Sequence, residues 1–156
     1  MPKNRHLVVP LLKGFYWFDE GLQAYLQHKG WHGVSRPQSM VMANVVMGVI
    51  RPADIARNLG VSRQAVHVTI GQMIAKGMLE LHDDPRDKRG KTVGISATGR
   101  AMRRDAQEAM EILTKALCKR IGPRHVAALK SAFAQDWGKP LTQFAVAKDA
   151  RRKTRR

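Results

Sequence analysis

A chain of 156 residues, 44% hydrophobic and 26% charged, has the length of one domain with a modest core and is too apolar to be disordered throughout. One cysteine excludes a disulfide framework and suits a reducing cytoplasm, and the longest apolar run, Met40–Ile50, is broken by Asn44 and Gly48 and is far too short to cross a bilayer. The net charge of +16 favours a polyanionic partner, while 6% aromatic content argues against an aromatic surface for single strands.

Leu11, Phe15, Phe18, Leu22 and Leu26 recur at helical spacing and predict a first helix within residues 11–30. Gln38–Val49 predicts a shorter helix, apolar on nearly every side and therefore buried. Pro52 suits a first helical position, where its missing N–H has no partner to lose, and Ile55, Ala56 and Leu59 then form one apolar face. Gly60 follows as a left-handed C-cap and Ser62 as the N-cap of the next helix. Val66, Ile70, Met73 and Gly77 continue at i, i+4, i+7 and i+11 as a buried stripe. Off that stripe, at the helix start, stand Arg63, Gln64 and His67. Two short helices in this order suit a helix-turn-helix, and Arg and Gln match the bidentate edges of guanine and adenine. Ser62, Arg63, Gln64 and His67 are therefore the major-groove candidates. Taken alone, the segment also suits a small helical hairpin with a solvated polar face.

Met78–His82 and Thr92–Ser96 predict strands on either side of a loop, DDPRDKRGK, in which Pro85 and Gly90 are turn residues. Its cations Arg86, Lys88, Arg89 and Lys91 suit phosphate or the minor groove, and Asp87 is read as orienting Arg89 rather than as a catalytic carboxylate. Ser96 caps the next helix. Residues 97–120 predict the longest helix, with Met102, Ala106, Met110, Leu113, Leu117 and Ile121 on one side, and Gly122-Pro123 breaks it. Val126, Leu129, Phe133 and Trp137 stripe a last helix up to Gly138. The helix at 97–120 spans ~36 Å, more than a module of this size covers. A two-fold homodimer built by helices within 11–30 and 97–137 absorbs the leftover stripes; packing all three within one chain is the alternative. The excess charge is spread along the chain, +3 in 1–50, +3 in 51–96, +5 in 97–147 and +5 in the tail 148–156. That tail is expected to be disordered, and either solubilises the protein or attracts phosphate without reading sequence.

The histidines His6, His28, His32, His67, His82 and His125 are scattered, and no carboxylate or cysteine accompanies them at metal spacing. No glycine-rich phosphate loop, nucleophile elbow or paired carboxylates accompany them. Neither an enzyme, a metal nor a cofactor is expected. Cys118 is an inert thiol or, beside Lys119 and Arg120, a redox-responsive one. Trp17, Trp31, Met40, Met42 and Met47 suit the core, and would border any pocket for a small ligand where the dimer helices meet the winged module.

The run LGVSRQAV, the segment KGMLELHDDPRDKRGKTVGIS and the closing TG resemble the winged-helix core of the MarR family of bacterial transcription regulators. The wing signature D-x-R of that family is matched by Asp87-Lys88-Arg89, and its L-T-x-x-G by Ile95-Ser96-Ala97-Thr98-Gly99. Val68 stands where a polar or basic residue is common, Thr69 where an aliphatic one is, and Gly71 weakens the helix by roughly 1 kcal/mol relative to Ala. The resemblance covers about residues 11–135 and implies duplex binding by wing and recognition helix, terminal dimerisation helices, and release by small ligands in many members.

The expected fold is mainly α with a small antiparallel β wing of two or three strands: a winged helix-turn-helix at 36–99 flanked by the dimerisation helices, within a single domain. The expected function is a homodimeric, sequence-specific regulator on a pseudo-palindromic DNA site, a repressor in the cytoplasm on the nucleoid, with a small-molecule effector and no membrane partner. A basic nucleoid-type DNA-packaging protein with little sequence preference is the alternative.

Overall fold

The computed structural model describes residues 6–142; the cationic tail at 148–156 lies outside the described residues. The chain divides into two compact units, residues 1–116 and 117–156. The described elements are α1 (Val8–His28), α2 (Arg36–Val46), α3 (Pro52–Leu59), α4 (Arg63–Ala75), β1 (Leu79–Asp84), β2 (Asp87–Ile95), α5 (Ala97–Ile121) and α6 (Pro123–Phe133). The mainly helical class with an antiparallel wing is as the periodicities predict, and the wing has two strands.

The core of the first unit gathers Val41, Met42 and Val45 from α2, Ile55 and Ala56 from α3, and Val66, Ile70 and Met73 from α4, closed by Met78, Leu79 and Val93 of the wing's base. Leu26 and Met102 join it from α1 and α5. Those α3 and α4 residues are the stripes read from the sequence. Gly60 takes the left-handed conformation (φ 65°, ψ 29°) that stops α3, and Ser62 Oγ accepts from Ala65 N at 3.1 Å to start α4.

The second helix differs from its expected bounds and burial. It begins at Arg36, two residues before Gln38, because Ser35 and Gln38 form a reciprocal capping box around Arg36-Pro37. It stops at Val46, where Gly48 (φ 85°) turns the chain. Only one side of it is covered, so Val46 and Met47 face out, Met47 being 69% exposed. Its buried polar residues link the helices: Gln38 Nε2 donates to Gln72 Oε1 at 3.2 Å, and Asn58 Nδ2 donates to Asn44 Oδ1 at 3.1 Å. Buried Asp19 of α1 accepts from Arg36 Nε at 2.6 Å, and Trp31 Nε1 donates to Asp105 Oδ2 at 2.7 Å.

The wing also departs from the expected loop. Strands β1 and β2 pair from Leu79↔Ile95 to Asp83↔Lys91, then the register shifts and Asp84 opposes Asp87. The turn is thus only Pro85-Arg86, and Lys88, Arg89, Gly90 and Lys91 lie in β2 rather than in a loop. Gly90 is not a turn residue; a Cβ there would stand 3.3 Å from the Cβ atoms of Asp84 and Asp87, so its missing side chain lets those two crowd the tip. At the wing's base Val93 N donates to Ile50 O at 2.8 Å. Ser96 Oγ accepts from Gly99 N at 3.0 Å, and Gly99 is buried so close to β1 that a Cβ would lie 2.0 Å from Met78 O.

In the second unit, α6 ends at Phe133 rather than near Gly138. Trp137 Nε1 instead donates to Ala132 O at 2.9 Å and its ring stacks on Phe133. Val126 is buried, whereas Leu129, Phe133, Trp137 and Leu141 are exposed.

Candidate nucleic-acid interface

Burial of Val66, Ile70 and Met73 turns the opposite side of α4 outward, so Arg63, Gln64 and His67 are exposed from its first turn onward. Val68 is half-exposed, and Thr69 spends its hydroxyl on Ala65 O at 2.9 Å. Ser62 is exposed too, with its side-chain oxygen engaged in capping.

A cleft of about 560 Å³ could hold a small ligand; another, of about 520 Å³, runs between the start of α4 and the wing. The second cleft brings together Arg63, His67, Arg86, Asp87, Arg89 and Lys91 from the sequence-predicted set; Ser62, Gln64 and Lys88 lie outside its lining. Five cations, two of them contributed from before and within the helix-turn-helix (Arg51 and Arg63), face two carboxylates, Asp84 and Asp87. An extended polyanion is the ligand such a surface suits.

The carboxylates have specific tasks. Asp87 Oδ1 accepts from Arg89 N at 2.9 Å, so it organises the backbone under Arg89. Asp83 pairs with Lys91, and this ammonium holds the Asp83 carboxyl below its ordinary range. Two residues that pattern reading passed over shape the cleft. Arg51, the residue before α3, donates through Nε to Asp84 Oδ2 at 2.6 Å and through Nη2 to Oδ1 at 2.9 Å, and Arg86 N donates to Oδ1 at 2.9 Å. Asp84 is buried, and the Arg51 guanidinium, then the Arg86 amide, depress its pKa. The available signal was Arg51 itself, which occupies an N-cap position and makes no side-chain cap.

The 560 Å³ cleft lies between α1, α2 and α5, walled by Leu22, Leu26, Met42, Val46, Met102 and Met110 with Arg103, Gln107 and Glu111 among its polar groups. Of the five residues expected to border a pocket only Met42 does so. Trp31 packs on the core, Met40 lines a different groove against α4, and Met47, just past the end of α2, points to solvent. Among the described residues no group of three or more His, Cys, Asp or Glu could hold a metal ion, and Cys118 is a free, half-buried thiol.

Residues 32–90 match the model of the MarR family. The winged core is similar to that family's. The whole fold agrees: apo MarR from E. coli superposes with a TM-score of 0.68 at 23% identity, over 82% of this chain and 94% of that one. A mutant E. coli MarR complexed with operator DNA gives 0.60 at 22%, over 81% and 92%, and the Thermotoga maritima transcriptional regulator Tm0710 gives 0.57 at 17%, over 80% and 89%. No curated protein sequence matches the chain. No helix among the described residues is long and apolar enough to cross a membrane.

Proposed function

We propose that this chain is a sequence-specific, double-stranded-DNA-binding transcription regulator that works as a homodimer on a pseudo-palindromic site, repressing by occluding polymerase. The observation that carries the reading is the cleft in which Arg63 and His67 of α4 meet Arg86, Arg89 and Lys91 of the wing. A helix-start arginine can read a base edge while a cationic β-hairpin meets phosphate or the minor groove. Ser62, Gln64 and Lys88 are exposed and next in sequence to residues that line the cleft, and Asp87 Oδ1 accepts from Arg89 N. That a fold neighbour is complexed with operator DNA supports the assignment.

Two exposed apolar faces support self-association: Leu7, Val8, Leu12, Phe15 and Tyr16 on and just before α1, and Leu129, Phe133, Trp137 and Leu141 in the second unit. The 560 Å³ cleft supports release by a small, largely apolar effector. No catalytic role, cofactor or membrane partner enters this reading, and the working compartment is the cytoplasm, on the nucleoid.

The net charge of +16, of which only +3 falls within residues 51–96, favours a second reading as a nucleoid-type packaging protein. Selection of genomic fragments followed by titration of the selected and scrambled duplexes decides between them. A regulator prefers its site by ~10³ or more, and equal affinities would establish packaging.

A further inference from the structure

The structure assigns Arg51 and Asp84 a positioning role: we propose that this pair is a latch holding the wing's cationic edge against the start of α4 in the geometry that grips a duplex. The proposal rests on the reading of the cleft as the duplex face.

Three parts of the chain meet on one carboxylate. Arg51 is tied to the first turn of α3, since its carbonyl accepts from Asp54 N and Ile55 N, each at 3.0 Å. Its guanidinium forks onto both oxygens of Asp84, which fixes orientation as well as distance. Asp84 also accepts from the amide of Arg86, one of the two residues of the wing's turn. The register shift between Asp83 and Asp84 sits at this same place. A two-stranded ribbon twists and flexes readily by itself, and the Val93–Ile50 hydrogen bond steadies only its base. The latch supplies the missing restraint near the tip, beside Arg86 and Arg89.

The sign of the charge makes the idea testable. Asp84 is a negative group lining a cleft read as a polyanion site, so electrostatics alone predicts that Asp84→Asn tightens duplex binding. The latch predicts the reverse. Full-length protein is titrated with a fluorescent mixed-sequence duplex long enough for two half-sites, and amide exchange is followed in the free protein. Asp84→Asn and Arg51→Gln should each weaken binding and speed exchange at Arg86–Lys91 by about tenfold, with the double variant no worse than either single one. Arg51→Lys, which keeps the charge and loses the fork, should fall between. Asp83→Asn, which removes a carboxylate from the exposed wing edge and spares the latch, should bind at least as tightly as wild type.

Asp84→Asn that binds as well as or better than wild type, unchanged exchange at the tip, or additive losses in the double variant would each overturn the latch. Should Asp84→Asn fail to fold, Arg51→Lys decides, since wild-type affinity and exchange in it also overturn the proposal. Wild-type protein that binds no duplex would instead overturn the reading of the cleft itself.

Discussion

At the scale of single residues, the proposed function separates groups that would read bases from groups that hold the backbone. Arg63 projects from the first turn of α4 with an exposed side chain, whereas the Arg89 amide is organised by Asp87 in the wing. Arg63→Ala should therefore lower affinity for a selected site by ~1–3 kcal/mol and leave scrambled DNA nearly unaffected, while Arg89→Ala should weaken both alike. Paired titrations check this, and equal losses in the Arg63 variant would contradict the recognition role of α4. Asp84 gives a pH prediction. Its carboxyl is held below the ordinary value of 3.8 by Arg51, so folding favours its charged form. The stability it contributes is complete above that ordinary value and is lost as pH falls through the lower, folded one. Denaturant titrations from neutral to acidic pH should show a shallower acid limb in Asp84→Asn than in wild type; identical limbs would mean that the pair adds nothing to stability.

At the scale of elements, two glycines in helices have opposite meanings. Gly71 lies exposed in α4 with nothing within 4 Å of an added Cβ, so it weakens the helix without serving packing. Gly71→Ala should stabilise the fold by about 1 kcal/mol and raise Tm by a few degrees. Gly99, the last residue of the L-T-x-x-G match, stands at the third position of α5, and its Cβ would overlap the Met78 carbonyl. Gly99→Ala should destabilise by roughly 1–3 kcal/mol through displacement of α5 from β1. Thermal melts of the two variants measure both, and shifts of the same sign would contradict the packing described. The α3–α4 turn was legible because Pro52, Gly60 and Ser62 act on their own backbone neighbours. The bounds of α2 were less so: the Ser35–Gln38 box lies upstream of the apolar run that marks the helix.

At the scale of the whole molecule, the exposed apolar faces of α1 and of the second unit predict a dimer. Light scattering at micromolar concentration should return about twice 17.5 kDa. A clean monomer would remove the basis for a palindromic site. The cationic tail, outside the described residues, contributes +5 of the +16. Deleting residues 148–156 should flatten the dependence of log affinity on log salt by ~0.9 for each phosphate that the tail had neutralised, and leave site preference intact. An unchanged slope would make the tail a solubilising appendage.

The order of helices and strands, the stripes of α3 and α4, and the cations of the wing were determined by the sequence alone, because periodicity, capping and turn chemistry act within a few residues. The position of β2 was not: a run of charges reads as a loop until its backbone finds partners in β1, and those partners lie across a two-residue turn. The pocket-lining residues were also beyond reach of pattern, since Met42 and Met47 are alike in sequence, yet Met42 lies on the covered side of α2 and Met47 just past its end. The Arg51–Asp84 pair shows the same limit most plainly. The N-cap position of Arg51 marks one partner but not the other, and the fork between them forms only because the wing folds back over the start of α3, bringing together two charges 33 positions apart.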